Sequence, residues 1–250
     1  MSEIISKNCV FIDFDGVLFN TVKEAYVVAS VAMNKYTCID DVVFDTDHFK
    51  YFLKYRYLVG PAWNYKYIWG LLTIDGLSEY KQLYQNLISE ARHSEYIEFE
   101  NLFFSTRDKI KQDEFDKWIN LNEPYDFLRL IRHNLIKNHE NFFIVTTKDK
   151  ATVKELLNLE GISMSDNFIY DKIDFDRYKS KFNIINSIMK SRNIDKAIFV
   201  DDSAEHLNKC RKIQNLSIYQ ASWGYTSEKD VGSLGMYAIA AEINNLLGKV

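Results

Sequence analysis

The chain has 250 residues, of which 47% are hydrophobic and 26% are charged, and it carries a formal net charge of −4. This composition is typical of a globular protein with one large domain, or a domain that carries an inserted module. The acidic balance gives no overall basic field for nucleic acid, so we expect no nucleic-acid partner and expect local cations or a metal ion to bind any anionic ligand.

Cysteine usage and the pattern of apolar runs favour a cytoplasmic protein. Cys9, Cys38 and Cys210 show no CxxC spacing, which indicates reduced thiols rather than a disulfide framework. We recognise no secretion signal, because acidic residues interrupt the apolar run near the start. The aromatic run at residues 51–72 contains several lysine and arginine side chains that would be costly in a bilayer, so we also expect no membrane partner.

The first predicted strand is the run CVFIDF at residues 9–14, which stops at Asp15 and Gly16. An isolated carboxylate such as Asp13 is costly in a buried strand unless it has a partner, a cation or a chemical role. Asp13 and Asp15 are two positions apart, so on a continuous strand their side chains would point to the same face, and a turn at Gly16 would let both approach one centre at the strand end. We therefore expect the two carboxylates to form part of one site.

The segment at residues 21–121 has no comparable apolar strand and is rich in tyrosine, phenylalanine and tryptophan. Helical periodicity in EAYVVASVAM and DEFDKWINL predicts a helical insertion. Pro124, in the first turn of the next predicted helix, marks the return to the first domain. The predicted organisation is an α/β core at residues 1–20 and 122–250 with an inserted helical domain at residues 21–121.

The second half of the chain alternates apolar runs with helical patterns. The predicted strands are 142–147, 197–202 and 216–221, and the predicted helices are 149–160, 181–192 and 203–213. Such alternation predicts parallel strands with crossover helices, which is a doubly wound, Rossmann-like α/β sheet. Ligands of these sheets bind at the carboxyl ends of the strands, where Asp13, Thr146, Asp201 and Asp202 would gather.

A cluster of carboxylates at one sheet edge suits a hard cation with oxygen ligands. Asp13 and Asp15 from the first strand and Asp201 and Asp202 from a later strand are the candidate ligands for Mg²⁺. Magnesium in turn favours a phosphorylated substrate.

The order of these residues resembles the haloacid dehalogenase (HAD) superfamily with a helical, C1-type cap, and is similar to its phosphoglycolate phosphatase and β-phosphoglucomutase-like members. The family order is a DxD loop, a Thr or Ser that ends the second strand, a Lys, and an acidic pair. Here it is read as Asp13-Phe14-Asp15-Gly16-Val17, Thr146, Lys181 or Lys179, and Asp201-Asp202. The resemblance covers about residues 7–20 and 122–247, including IVTTKDKATVKELLNLEGI and the WGY near residue 223.

The resemblance implies a role for each residue of the motifs. Asp13 would attack phosphorus to form an aspartyl phosphate, and Asp15 would act as general acid and then as general base. Thr146 and a lysine would hold the phosphoryl oxygens. Mg²⁺ would bridge Asp13, the backbone carbonyl of Asp15, and Asp202. The substrate-binding candidates are Phe14, Gly16, Thr147, Lys66 and Arg56.

Two positions depart from common family patterns. YKSKFN offers Lys179 and Lys181, of which we choose Lys181 because it directly precedes an apolar helix. The usual Gly-Asp-x-x-x-Asp motif has Asp201 at the Gly place and His206 at the place of the later acid. We expect Asp201, rather than His206, to help the metal.

The insertion resembles a helical cap that closes over the substrate. In its most unusual piece, GPAWNYKYIWG, the aromatic rings could stack on a sugar or base and Lys66 or Arg56 could meet a second anionic group. The alternative is that these rings form the core of the cap or a dimer contact.

The sequence leads to a Mg²⁺-dependent phosphatase that acts on a small phosphorylated metabolite and is a monomer or homodimer. The alternatives are a phosphomutase of the β-phosphoglucomutase type and a non-catalytic phosphate-binding module. Asp15 argues against a dehalogenase of the same superfamily, since those enzymes lack a second Asp at that position.

Overall fold

The computed structural model describes residues 7–71, 77–227 and 234–248. The chain divides into two compact units, Met1–Asn20 with Pro124–Val250 (the core unit) and Thr21–Glu123 (the helical unit). The elements in chain order are β1 (Asn8–Ile12), β2 (Phe19–Asn20), α1 (Val22–Ala32), α2 (Asp47–Tyr55), α3 (Tyr65–Gly70), α4 (Leu77–Glu90), α5 (His93–Asp113), α6 (Phe115–Ile119), β3 (Glu123–Pro124), α7 (Asp126–Lys137), β4 (Phe142–Val145), α8 (Lys150–Leu159), β5 (Ile169–Tyr170), α9 (Lys172–Tyr178), α10 (Lys181–Ser191), β6 (Lys196–Asp201), α11 (Ala204–Cys210), β7 (Leu216–Gln220) and α12 (Met236–Leu247).

The core unit is built on a parallel five-stranded sheet of order β5-β4-β1-β6-β7. Apart from the first residues of β1 and β6 and the terminal Asp201, the central strands β1, β4 and β6 are apolar and buried, as expected for a parallel sheet covered on both faces. The predicted α/β class with a doubly wound parallel sheet is confirmed. Strand β5 was not predicted, because its two residues carry no periodic pattern.

Alternate residues of the central strands face opposite layers of helices. Phe11, Phe143 and Phe199 pack in one cluster with apolar residues of α10 and α11. Helix α12 packs against β1, β6 and α7. The two-residue period of the strands therefore sends one apolar set to each helical layer.

Strand register brings the functional candidates to one level of the sheet. Ile12 of β1 lies opposite Ile144 of β4 and Val200 of β6. The residues that come next, Asp13 and Asp201, consequently emerge side by side at the carboxyl ends of adjacent strands.

The helical unit contains α1 to α6 and begins at Thr21; it ends at Glu123, whereas the sequence placed the boundary at residue 121. Its interior contains a buried ion pair in which the Arg107 guanidinium donates to both carboxylate oxygens of Glu24, one at 3.1 Å. The Trp118 indole N–H lies 3.5 Å from the same carboxylate. Buried charges are stable only with such partners, so this pair fixes how α1 and α5 pack in this unit.

Aromatic side chains form much of the packing in the helical unit. Tyr65 and Trp69, from the predicted aromatic segment, are only 5% and 6% exposed. Tyr65 stacks on Phe52 at 5.5 Å between ring centroids, and Trp69 stacks on Tyr26 at 5.1 Å. These two rings belong to the interior of the unit, which favours the packing interpretation for them over substrate stacking.

Within the described ranges, no helix is both long and apolar enough to cross a membrane.

Candidate active site

The DxDG loop begins where β1 ends. The Asp13 N–H donates to Val200 O at 2.9 Å, which continues the pairing of β1 with β6. Gly16, at φ +81°, then lets the chain turn sharply, and its N–H donates to Phe19 O at 2.8 Å. Phe14 is buried and stacks on Phe19, and this packing holds the DxDG loop against the core unit.

Lys181 joins two strand ends through their carboxylates. Its Nζ lies 2.7 Å from Asp13 Oδ2 and 2.8 Å from Asp201 Oδ2, and the side chain is 1% exposed. Ser180 caps the helix N-terminus by accepting from the Asn183 N–H, so α10 starts at Lys181 and presents it in the first turn. Lys179 instead ends α9 in a left-handed conformation and is exposed. Lys181 is thus the lysine that meets the predicted nucleophile.

Burial and neighbouring charges shift the pKa values of Asp13, Lys181 and Asp201 in opposite directions. Burial raises the pKa of Asp13 to about 6, although Lys181 opposes the rise. Burial alone would also raise the pKa of Asp201, but Lys181 and His206 overcome that effect and hold it at about 2. Burial alone would lower the pKa of Lys181, and the two carboxylates raise it above its ordinary value instead. The ammonium of Lys181 is therefore charged, with Asp201 as its permanent counter-ion.

Thr146 and Thr147 follow β4. Thr146 is buried, and its N–H donates to Tyr170 O at 2.9 Å, so the backbone is fixed by the neighbouring β5. The Thr146 hydroxyl oxygen accepts from the Lys148 N–H at 3.1 Å. Thr147 is half-buried.

Lys148 is a site residue that the sequence analysis did not assign. Its Nζ donates to Asp15 Oδ1 at 3.2 Å, and its side chain is only 2% exposed. The sequence feature that could have identified it is its position two residues after Thr146, at the sheet edge where the acidic residues gather. Lys148 connects the loop after β4 to the DxDG loop and brings Asp15 to the same sheet edge as Thr146.

Asp201 and Asp202 differ in their surroundings. Both Asp201 oxygens have partners, since Oδ1 accepts from the Ser203 N–H at 2.8 Å and Oδ2 contacts Lys181 and, at 3.2 Å, His206 Nδ1. Asp202 Oδ2 accepts from the Tyr225 N–H at 2.7 Å. Asp201 is thus held as the counter-ion of a lysine, whereas Asp202 lies against the DxDG loop: a Cβ on Gly16 would stand 2.0 Å from Asp202 Oδ2.

The site fits a divalent cation by its donor chemistry. Asp13, Asp15, Asp201 and Asp202 supply four carboxylates, three of them buried, against the two buried ammonium groups of the lysines. Buried carboxylates in excess of cations favour a hard ion with oxygen ligands.

One alternative ligand set is Asp13, Asp201 and His206, whose potential ligand atoms lie within 4.8 Å of one another. Lys181 already bridges Asp13 and Asp201, so a cation placed there would face an ammonium group. The donor set that includes Asp202 is therefore the better fit.

Two predicted substrate contacts belong to the helical unit. Arg56 is 8% exposed, donates from Nη1 to Val59 O at 3.2 Å and lies over the Tyr65 ring. Lys66 Nζ lies 5.9 Å from the centre of the Tyr67 ring. Contact of either residue with substrate stays a prediction.

No protein-family model matches the chain, and no curated protein matches it in sequence. Solved structures do match its fold. A protein described as a predicted phosphatase from Clostridium acetobutylicum has a TM-score of 0.57 and 17% identity, with 96% of this chain and 100% of that chain covered. One described as a predicted phosphoglycolate phosphatase from Haemophilus somnus has a TM-score of 0.57 and 12% identity, covering 95% and 98%. A protein assigned as a haloacid dehalogenase-like hydrolase from Bacteroides fragilis has a TM-score of 0.50 and 13% identity, covering 92% and 98%.

The chain therefore has the fold of the haloacid dehalogenase-like hydrolases, and the likeness extends over nearly the whole chain. This confirms the fold expected from the motif order. At these identities the likeness concerns the fold, so an activity has to be argued from the site residues.

Proposed function

We propose that this chain is a Mg²⁺-dependent phosphatase that hydrolyses a small phosphorylated metabolite through an aspartyl phosphate on Asp13. The observation that carries the proposal is the buried contact of the Asp13 carboxylate with Lys181 at the carboxyl end of β1. A nucleophile for phosphoryl transfer needs positive charge beside it to balance the phosphoryl oxygens, and Lys181 is fixed where it can supply that charge. The named activities of the structural neighbours agree with this reaction class.

In the first step an Asp13 oxygen attacks phosphorus, and the bond between phosphorus and the leaving oxygen breaks. Asp15 donates a proton to that oxygen, so the alcohol departs neutral. In the second step Asp15 takes a proton from water, which attacks the aspartyl phosphate, releases inorganic phosphate and restores the Asp13 carboxylate. The contact of Lys148 with Asp15 holds the acid–base group at the edge where both steps occur.

Thr146 and Lys181 hold the transferring group in this scheme. The Thr146 hydroxyl donates to a phosphoryl oxygen while it keeps its contact with the Lys148 N–H. Phe14 and Thr147 are candidates for further backbone N–H donors. The Phe14 N–H donates to Asp13 Oδ1 at 2.7 Å and would have to turn from it to the phosphoryl group, whereas the Gly16 N–H is already bonded to Phe19 O, so the role of Gly16 is to form the turn. Asp201 acts through Lys181, whose ammonium it fixes in place, and its predicted contact with the metal stays a prediction.

Asp13, the backbone carbonyl of Asp15, and Asp202 are the groups that would hold Mg²⁺. When bound, the ion supplies positive charge against the phosphoryl oxygens. The remaining requirement is exclusion of competing water, for which we propose the helical unit as a cap, with Lys66 or Arg56 as candidates for a second anionic group of the substrate.

The proposal is tested by measuring phosphate release from a panel of phosphorylated sugars, nucleotides and small acids, with Mg²⁺ or with EDTA. We expect release from at least one member with Mg²⁺ and none with EDTA. Release that is equal in EDTA would contradict the metal requirement. Slow release that a sugar bisphosphate accelerates would indicate a phosphomutase instead.

The acid–base role of Asp15 predicts an effect that depends on the leaving group. Asp15→Asn should lower kcat/KM for an alkyl phosphate by about 10²- to 10⁴-fold, because an alkoxide leaves poorly without a proton. The loss for p-nitrophenyl phosphate should be much smaller, since nitrophenolate leaves without help. The ratio kcat/KM is the right measure because it extends only to the first irreversible step, so hydrolysis of the intermediate does not enter. Equal losses for both substrates would rule out the general-acid assignment.

A further inference from the structure

The WGY segment (residues 223–225) lies directly on the DxDG loop. Its Tyr225 N–H donates to Asp202 Oδ2 at 2.7 Å, and the Trp223 indole N–H donates to Val17 O at 3.1 Å. One end of the segment thus binds an acidic side chain of the site, and the other binds the backbone of the loop that carries Asp13.

Gly224 makes this approach possible. A Cβ on Gly224 would lie 2.2 Å from Gly16 O and 2.7 Å from Asp202 Cβ, both far inside van der Waals contact. A Cβ on Gly16 would in turn lie 2.0 Å from Asp202 Oδ2. Two glycines therefore pack around the Asp202 side chain. The Gly224 contact with Gly16 O is with backbone, which cannot move aside as a side-chain end can, and the Gly16 contact is with the carboxylate oxygen that the Tyr225 N–H holds.

Anchors on both sides hold the WGY segment in place. The Trp223 ring packs on Phe127 at 4.8 Å between centroids, and the Tyr225 hydroxyl donates to Asn20 Oδ1 at 3.2 Å. Before the segment, the Ala221 N–H donates to Asp201 O at 2.9 Å, which ties it to the end of β6. The segment is thus fixed to the strand end and to the loop that it bridges.

We propose that the WGY segment positions Asp202 as a ligand of the metal ion, with Gly224 as the residue that permits it. This inference rests on the metal site of the proposed function. The hydrogen bond from the Tyr225 N–H fixes the orientation of the Asp202 carboxylate. The hydrogen bond from the Trp223 indole to Val17 O fixes the position of the DxDG loop relative to that carboxylate. Groups that orient a ligand in this way change metal affinity by about 10- to 100-fold when they are disturbed.

The test compares Gly224→Ala with Gly235→Ala in the full chain. Gly235 is the matched control because it lies nearby in the sequence and a Cβ there would meet nothing within 4 Å. Mg²⁺ alone is titrated into each protein without substrate and followed by calorimetry, and thermal unfolding is measured without metal. We expect Gly224→Ala to bind Mg²⁺ at least about tenfold more weakly and Gly235→Ala to match the wild type.

A second variant covers the case in which Gly224→Ala does not fold. Trp223→Phe keeps a ring against Phe127 and loses the bond to Val17 O, so we expect weaker Mg²⁺ binding in the same direction. A folded variant with lower thermal stability and wild-type Mg²⁺ affinity would overturn the proposal, because the segment would then be only structural. Tight Mg²⁺ binding by a wild-type protein that releases no phosphate would contradict the proposed function and leave this inference standing. A wild-type protein that binds no Mg²⁺ would overturn both.

Discussion

Asp13→Asn should abolish phosphate release, with a loss of about 10⁴-fold or more in kcat, because an amide cannot form the phosphoenzyme. The fold should survive, since burial already favours the neutral form of Asp13 and the amide is similar in size. The measurement is phosphate release with the best substrate of the panel, together with the thermal unfolding midpoint of the variant.

Asp166→Asn is the matched control, because Asp166 is an exposed carboxylate that pairs with Lys154 in the same unit. We expect this control to keep wild-type activity, as surface ion pairs contribute little. An Asp13→Asn variant that retained more than a few per cent of the activity would remove Asp13 from the mechanism.

Lys181→Met should impair both stability and catalysis. It leaves Asp13 and Asp201 buried without their shared cation, and breaking such a buried pair costs about 3–5 kcal/mol of unfolding free energy. Urea unfolding at two pH values measures that cost. Phosphate release should fall as well, because the charge against the phosphoryl oxygens is lost.

The pH dependence of this loss follows from Asp201. In the wild type Lys181 and His206 hold the pKa of Asp201 at about 2, below the ordinary 3.8. Ionised Asp201 therefore adds to the free energy of unfolding fully above pH 3.8, and this stabilisation is lost as the pH falls through 2. Without Lys181 the buried carboxylate favours protonation, so the variant should lose most stability near neutral pH and less in acid. Lys179→Met is the control, since Lys179 is exposed, and we expect it to keep wild-type stability and wild-type phosphate release. Loss of stability and activity in Lys179→Met, with neither lost in Lys181→Met, would contradict the assignment of Lys181 to the site.

Sequence patterns predicted the parts of the fold that carry continuous apolar runs. Strands β1, β4 and β6 lie where such runs occur, because strands buried on both faces contain few polar residues, and the edge strand β7 is a less continuous run that is only partly buried. Strand β5 has only two residues, and its place in the sheet depends on pairing with β4. Helices α9 and α12 were also not predicted; α9 buries none of its residues and so has no apolar face to detect, whereas α12 has one, formed by Ile239, Ala240 and Ile243.

The candidate site was predictable where a motif coincides with a strand end. Asp13, Thr146 and Asp201 could be brought together because parallel strands share one carboxyl edge. The choice of Lys181 depended on a local signal, its position directly before an apolar helix, and the structure adds the Ser180 cap that starts this helix. Lys148 was missed because its role depends on a contact with a residue 133 positions away in the chain.

The role of the WGY segment could not be read from its own residues, since Trp223 reaches Val17 across 206 positions. Local patterns give no information on such an approach. The need for glycine at position 224 becomes clear only when the neighbouring backbone is in place.

The central claim is that Asp13 carries the phosphoryl group during turnover. It is tested by acid-quenching the wild-type protein during a single turnover of its best substrate, reducing the acyl phosphate with borohydride and mapping the peptides by mass. We predict modification on the peptide that contains Asp13, with none in Asp13→Asn. Phosphate release that proceeds with no modified Asp13 at any time point would contradict the account.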